Sequence, residues 1–295
     1  MQNKAIGQVI KGVGGQYKVK LQNGDIIKCM PRGKLKKYGD IFIGDYVDII
    51  YDEKKLGTIE ERYKRTSQIV RPFVSNIDGV VIVVSPIPEP NLYLVDKLIF
   101  GTIEQGIKAI ICINKPDIEG YDKVIETFTH DYGSFTTILQ INAITGEGKD
   151  KLLDMIKGKF YALAGQSGVG KSTLINSVFS KELMEIGEIS EKNQKGKNTT
   201  RHVEILELED GTKIADTCGF EKLEMPVFEP SNLSSYFIDF DKYALECKFK
   251  SCNHIEEKEC GVKKAVETGL LSKDRYDRYV QLYKETKKKW DKRYD

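Results

Sequence analysis

From position 6 to about 64, short runs of alternating apolar and polar residues are separated by glycine turns, the pattern of half-buried strands. The pattern predicts five strands, at 8–10, 16–21, 25–30, 46–50 and 57–62, with Asn23-Gly24 as a hairpin turn. Such a tally suits an OB-like or an SH3-like barrel and does not separate them. After Arg71-Pro72 the texture changes to continuous apolar strands alternating with helix-length segments, the mark of a mostly parallel sheet covered on both faces. Strands are predicted at 79–85, 108–114, 136–142, 160–165, 202–208 and 213–216, and helices at 92–105, 122–131, 149–157 and 171–179. Beyond Phe220 strand character is lost, and a tyrosine- and lysine-rich helix is predicted at 273–294. The expectation is an α/β chain in three units: an OB-like β-barrel at 1–70, an α/β domain at 71–222 and a helical unit at 223–295.

No apolar run approaches the ~18 residues of a membrane span, so a membrane partner is not expected. The N-terminus lacks the apolar stretch and cleavage site of a secretory signal, which makes the cytoplasm the expected compartment. Net charge is only +2, yet residues 1–70 carry 14 Lys/Arg against 8 Asp/Glu, and residues 272–295 carry 9 against 5. Basic ends around a more acidic middle suit a polyanionic partner, and Arg32, Lys34, Lys36 and Lys37 form a basic loop in the barrel where RNA could bind. Solvated surface explains the same charges about as well.

Gly165-Gln166-Ser167-Gly168-Val169-Gly170-Lys171-Ser172 matches the P-loop pattern in full and lies between a predicted strand and a predicted helix. Backbone N–H groups of such a loop cradle phosphates, Lys171 neutralises their oxygens, and Ser172, followed by Thr173, offers a hydroxyl to Mg²⁺. Asn114-Lys115-Pro116-Asp117 follows an apolar strand and resembles the guanine-reading NKxD motif. A carboxylate at Asp117 can accept from two donors that guanine presents and adenine lacks, which selects GTP over ATP. Asn142-Ala143, after the next strand, stands where GTPases place a Ser-Ala pair whose backbone N–H supports the guanine oxygen.

Asp216-Thr217-Cys218-Gly219 resembles DxxG, whose carboxylate holds Mg²⁺ through water while the glycine N–H meets the γ-phosphate. Between P-loop and DxxG, Asn198-Thr199-Thr200 lies in a polar loop suited to a switch. One threonine of the pair is expected to complete the Mg²⁺ shell, and Thr200 is assigned to it beside Ser172. The order is unusual: NKxD and the alanine motif precede the P-loop, so the GTPase domain is circularly permuted. Permutation relocates only the termini, which often lie close together. It also attaches the segment after Phe220 directly to the DxxG motif.

Cys247, Cys252, His254 and Cys260 place three thiols and an imidazole within 14 residues. That set suits one closed tetrahedral Zn²⁺, structural rather than catalytic.

A barrel, a permuted GTPase and a Cys-Cys-His-Cys segment together resemble the ribosome small-subunit-dependent GTPase A family over essentially the whole chain. The resemblance implies a cytoplasmic GTPase that binds the small ribosomal subunit and its 16S rRNA and acts late in subunit maturation. It further implies hydrolysis of GTP to GDP and phosphate, stimulated by the subunit, with Lys171, Asn198, Thr199, Thr200, Asp216 and Gly219 as the hydrolytic set. A monomer is expected. Two departures stand out: many members carry histidine where this chain has Asn198, and proline where it has Cys218. Phe220 also stands where Ras-like enzymes put a water-orienting glutamine. These departures keep a second reading open, a GTP-gated RNA-binding scaffold with negligible hydrolysis. A third reading is an ATP-using enzyme that merely contains a P-loop.

Overall fold

The structure, a computed structural model, describes residues 2–36, 40–70, 73–185, 203–216 and 228–293. The alternating N-terminal runs form β1 (Asn3–Val13), β2 (Gln16–Leu21), β3 (Ile26–Pro31), β4 (Tyr46–Tyr51) and β5 (Leu56–Arg62). They are ordered 1-2-3-5-4, and β4 returns to pair with β1, which closes a barrel. The lone parallel pair among them, β3 with β5, gives the OB-like Greek-key connection and settles the choice left open between the two barrel types. Every second residue points inward, so Val9, Val19, Ile27, Val47, Ile49 and Ile59 are buried together. Each such side chain contributes about 1.5–3 kcal/mol on leaving water.

Buried Asp45 ties the barrel to the segment between it and the α/β unit. It accepts from Arg65 Nε at 2.7 Å, from Ser75 Oγ at 2.7 Å and from the Phe42 N–H at 2.7 Å. The guanidinium of Arg65 also lies 3.4 Å over the Phe42 ring, so a fully buried carboxylate is paired and hydrogen-bonded as burial requires. Ser75 belongs to a short hairpin, β6 (Gln68–Ile69) and β7 (Val74–Ser75), that the sequence pattern did not predict.

The α/β unit comprises β8 (Gly79–Val84), α1 (Leu92–Glu104), β9 (Lys108–Ile113), α2 (Tyr121–Tyr132), β10 (Thr137–Gln140), α3 (Lys149–Ile156), β11 (Phe160–Ala164), α4 (Lys171–Glu185), β12 (Glu204–Glu207) and β13 (Lys213–Asp216). The sheet runs β10-β9-β8-β11-β13-β12, parallel except for the β12–β13 hairpin. Strands such as Gly79–Val84 are apolar throughout because both faces are covered. Val80 and Ile82 pack toward α1 and α2, while Val81 and Val83 pack toward α3 and α4. This is the permuted GTPase domain: β9 and β10, which lead into the base-side motifs, precede the P-loop strand β11 in the chain, and β11 inserts between β8 and β13.

One feature of the sheet was not legible in the sequence. β1 is long enough to leave the barrel and pair with β12, Lys11 opposite Glu204, so barrel and GTPase domain share one 11-stranded sheet.

The C-terminal unit has two 3₁₀ turns, Pro230–Tyr236 and Ile238–Phe240, then α5 (Asp241–Ala244), α6 (Gly261–Glu267) and α7 (Lys273–Asp291). Ser272 caps α7, its side chain accepting from the Arg275 N–H. The unit packs on α1, where Phe100 meets Phe228 and Tyr236 with ring centroids 4.8 and 4.4 Å apart. Arg275 and Arg278, two of the basic charges of the chain end, are consumed inside the molecule. Arg275 pairs with Asp96 and Asp239, and Arg278 with Asp96 and Asp131. Among the described residues, no helix is long and apolar enough to cross a membrane.

Candidate nucleotide site and metal centre

The P-loop occupies the turn from β11 into α4. Gly165 has φ 143°, and a Cβ there would lie 2.3 Å from the Val83 carbonyl oxygen. Gly170 has φ 101°, and a Cβ there would lie 2.2 Å from Asn114 Nδ2. Both positions therefore demand glycine, for conformation and for close approach. Val169 is buried and anchors the loop in the core, while Ser167, Gly168, Ser172 and Thr173 are exposed at its rim. Lys171 curls over the loop, its ammonium donating to the Gly165 and Gln166 carbonyls at 2.8 and 2.7 Å. The first N–H groups of α4 lack intrahelical acceptors, so this loop and helix start form a site for anionic phosphates.

The base-side motif meets the loop directly. Asn114, buried at the end of β9, donates through Nδ2 to the Val169 carbonyl at 2.9 Å and accepts through Oδ1 from the Ala143 N–H at 3.0 Å. The motif resemblances assign Asn114 to guanine and the Ala143 N–H to the guanine oxygen; here the two bond each other, and Asn114 braces the P-loop against the Ala143 turn. Lys115, at φ 65°, donates to the carbonyls of Ile87 and Gly168, both at 2.6 Å. Its aliphatic arm thus runs along the loop at the edge where a base would lie. Pro116 and Asp117 are exposed at that edge. Asn142 shapes the neighbouring turn by accepting from the N–H groups of Ile144 and Thr145 at 3.0 and 3.2 Å.

A third segment, missed in the sequence, completes the frame. Gln166 accepts from the Asn91 N–H at 2.7 Å, and Asn91 in turn caps α1 by accepting from the Leu94 N–H at 3.0 Å. Ile87 and Asn91 lie in the proline-rich turn after β8. Its place at the carboxyl end of a parallel strand, where open α/β sheets bind ligands, was the available signal.

Asp216 ends β13, one strand from the P-loop strand. Burial pushes its carboxyl above the ordinary carboxylate range; nearby Lys171 pulls the other way and Glu204 adds to the rise. A half-buried carboxylate beside the P-loop lysine suits a cation between it and a phosphate. Ser172, exposed at the start of α4, fits the same role. Asn198, Thr199, Thr200 and Gly219, with Cys218 and Phe220, lie outside the described residues.

The cysteine set converges as expected. The ligand atoms of Cys247, Cys252, His254 and Cys260 all lie within 4.8 Å of one another. Cys247 Sγ is 3.5 Å from His254 Nδ1 and 3.9 Å from Cys260 Sγ, and His254 Nδ1 is 3.3 Å from Cys260 Sγ. These three lengths match one face of a tetrahedron around an ion with bonds of about 2.0–2.3 Å, and Cys252 supplies the fourth donor. The Gly261 and Lys263 N–H groups point at Cys247 and Cys260 sulfurs, at 3.3 and 3.5 Å, as they would toward thiolates. Burial lowers the His254 pKa, which keeps the imidazole in its neutral, ligating form. The donor set fits Zn²⁺.

Comparison with known proteins agrees with this anatomy. A family model described as RsgA GTPase matches residues 61–226, and one described as RsgA N-terminal domain matches residues 6–59. The small ribosomal subunit biogenesis GTPase RsgA of Ruminiclostridium cellulolyticum is 39% identical over 287 residues, 96% of this chain and 94% of that protein. The protein of the same name from Alkaliphilus metalliredigens is 38% identical over 289 residues, 96% of this chain and 98% of its own length. Among solved structures, YjeQ from Thermotoga maritima is 32% identical with a TM-score of 0.74, covering 96% of this chain and 99% of its own. YloQ, described as a circularly permuted GTPase, is 31% identical with a TM-score of 0.69, covering 97% and 96%. With matched domains, full-length relatives and a shared permuted architecture all in agreement, the chain belongs to the RsgA GTPase family.

Proposed function

We propose that this chain is a cytoplasmic GTPase that binds the small ribosomal subunit, contacts its 16S rRNA and assists its biogenesis, acting as a monomer. The observation that carries the nucleotide half is Asn114, which fastens the phosphate loop at Val169 to the base-side turn at Ala143 and so aligns both halves of a GTP site. The relatives' shared name supports the ribosomal half.

Each part of the site has its own task in this reading. The amides of the loop 165–170 and of the start of α4 hold the phosphates, and Lys171 swings from its carbonyl partners to neutralise their oxygens. Asp117 accepts from guanine, and the arm of Lys115 lies along the base. Ser172 and Asp216 would hold Mg²⁺, which when bound offsets phosphate charge, with a threonine of the 199–200 pair and Gly219 completing the set. Cys247, Cys252, His254 and Cys260 would hold one structural Zn²⁺.

Sedimentation of the protein with purified small subunits, in GDP and in a non-hydrolysable GTP analogue, tests this reading. Stronger pelleting with the analogue is expected; equal pelleting in both nucleotides would argue against a GTP-gated partner.

A further inference from the structure

Among the described residues, polar side-chain contacts join the barrel to the β12–β13 hairpin. Lys11 Nζ pairs with Glu204 at 2.5 Å, Lys20 Nζ with Glu207 at 2.7 Å, and Lys213 Nζ donates to Gln8 Oε1 at 2.8 Å. The first stands apart because of its register. Lys11 is directly opposite Glu204 in the β1–β12 pair, and Glu204 is directly opposite Asp216 in the β12–β13 pair. One cation and two carboxylates therefore lie in a single row across three adjacent strands, from the barrel to the carboxylate assigned to Mg²⁺.

Carboxylates directly opposed on a sheet repel, and half-buried ones are poorly screened. Lys11 offsets that repulsion by drawing Glu204 toward the barrel. The neighbouring contact cannot do the same, because Glu207 is opposite Lys213 rather than an acid.

We propose that Lys11 is a positioning residue of the magnesium site, acting through Glu204 to keep Asp216 aimed at its cation. A barrel residue thereby sets how tightly the GTPase domain holds metal. This rests on the assignment of Asp216 to Mg²⁺ under the proposed function.

The test is retention of fluorescent GDP by the full chain, titrated with MgCl₂. Lys11→Met is expected to raise the half-saturating Mg²⁺ concentration about threefold to fivefold. The double variant Lys11→Met with Glu204→Gln, which still lacks the ion pair but no longer opposes two acids, is expected to return to the wild-type midpoint. Glu204→Gln alone and Lys20→Met are expected to stay there. A Lys11→Met midpoint equal to wild type overturns the proposal, as does a double variant no better than the single one. Glu204→Gln also serves if Lys11→Met does not fold: a raised midpoint in that variant overturns the proposal as well. Asp216→Asn separates the two levels, since an unchanged midpoint there sinks the assignment of Asp216 itself.

Discussion

Arg275, on the last helix, donates its guanidinium to Asp96 on α1, and both side chains are fully enclosed. Arg278 reaches the other oxygen of Asp96 at 2.6 Å and Asp131 at 2.7 Å, while Tyr132 donates to Asp96 at 2.6 Å. The chain order suggested that the zinc unit hangs from the DxxG segment. These contacts also seat it on α1 and α2 of the GTPase domain.

Removing Arg275 leaves Asp96 and Asp239 short of a buried counter-charge. Arg275→Met is expected to lower stability by about 3–5 kcal/mol. Urea unfolding of the full chain measures it, and a loss below about 1 kcal/mol would mean the network is poorly formed.

A smaller contact on the same face has a pH signature. Glu285 accepts from Tyr93 at 2.6 Å and pairs with Lys97 at 2.9 Å. Burial pushes its carboxyl up, yet these partners outweigh that and hold it below the ordinary 4.5. A depressed folded-state value stabilises above the unfolded value and ceases to as pH falls through the folded one. The stability gap between wild type and Glu285→Gln should therefore be full above about pH 5 and shrink as pH drops below 4.5. A gap independent of pH would contradict the pairing.

Gly170→Ala puts a methyl group against Asn114 at a backbone angle that L-residues rarely adopt. Nucleotide affinity is expected to fall at least about tenfold, by fluorescent GDP titration, and the melting temperature to fall with it, since the strain costs about 1–3 kcal/mol. Unchanged affinity would show that the brace between Asn114 and Val169 does not shape the site.

With zinc held by Cys247, Cys252, His254 and Cys260 as proposed, a chelator should unfold the C-terminal unit, whose helices α5 and α6 are too short to persist alone. Circular dichroism and proteolysis of residues 228–293 before and after a chelator would record the loss. Persistence of the fold without metal would assign its stability to Phe100, Phe237 and Tyr279 instead.

Much of this was legible in the sequence because the signals were local. Alternation exposed the barrel strands, and Gly24 and the P-loop glycines marked turns. Continuous apolar runs located β8, β9 and β11 to within a residue or two. Among the described residues, Asn114 follows β9, Asn142 follows β10, the P-loop follows β11 and Asp216 ends β13, all at strand ends of one sheet. The relations that escaped are non-local. Nothing in the neighbourhood of Lys11 announces Glu204, and nothing near Arg275 or Arg278 announces Asp96, so buried and surface arginines looked alike. Asn114 was found but its protein partners were not, because sequence spacing cannot reveal that its amide reaches Val169 and Ala143 rather than open space.

The most direct measurement is GTP hydrolysis by the purified chain, alone and with small ribosomal subunits, at saturating GTP. Slow turnover that rises at least about tenfold with the subunits and is lost in Lys171→Ala is expected. GTP that binds tightly yet is hydrolysed no faster with subunits than without them would contradict the proposed function.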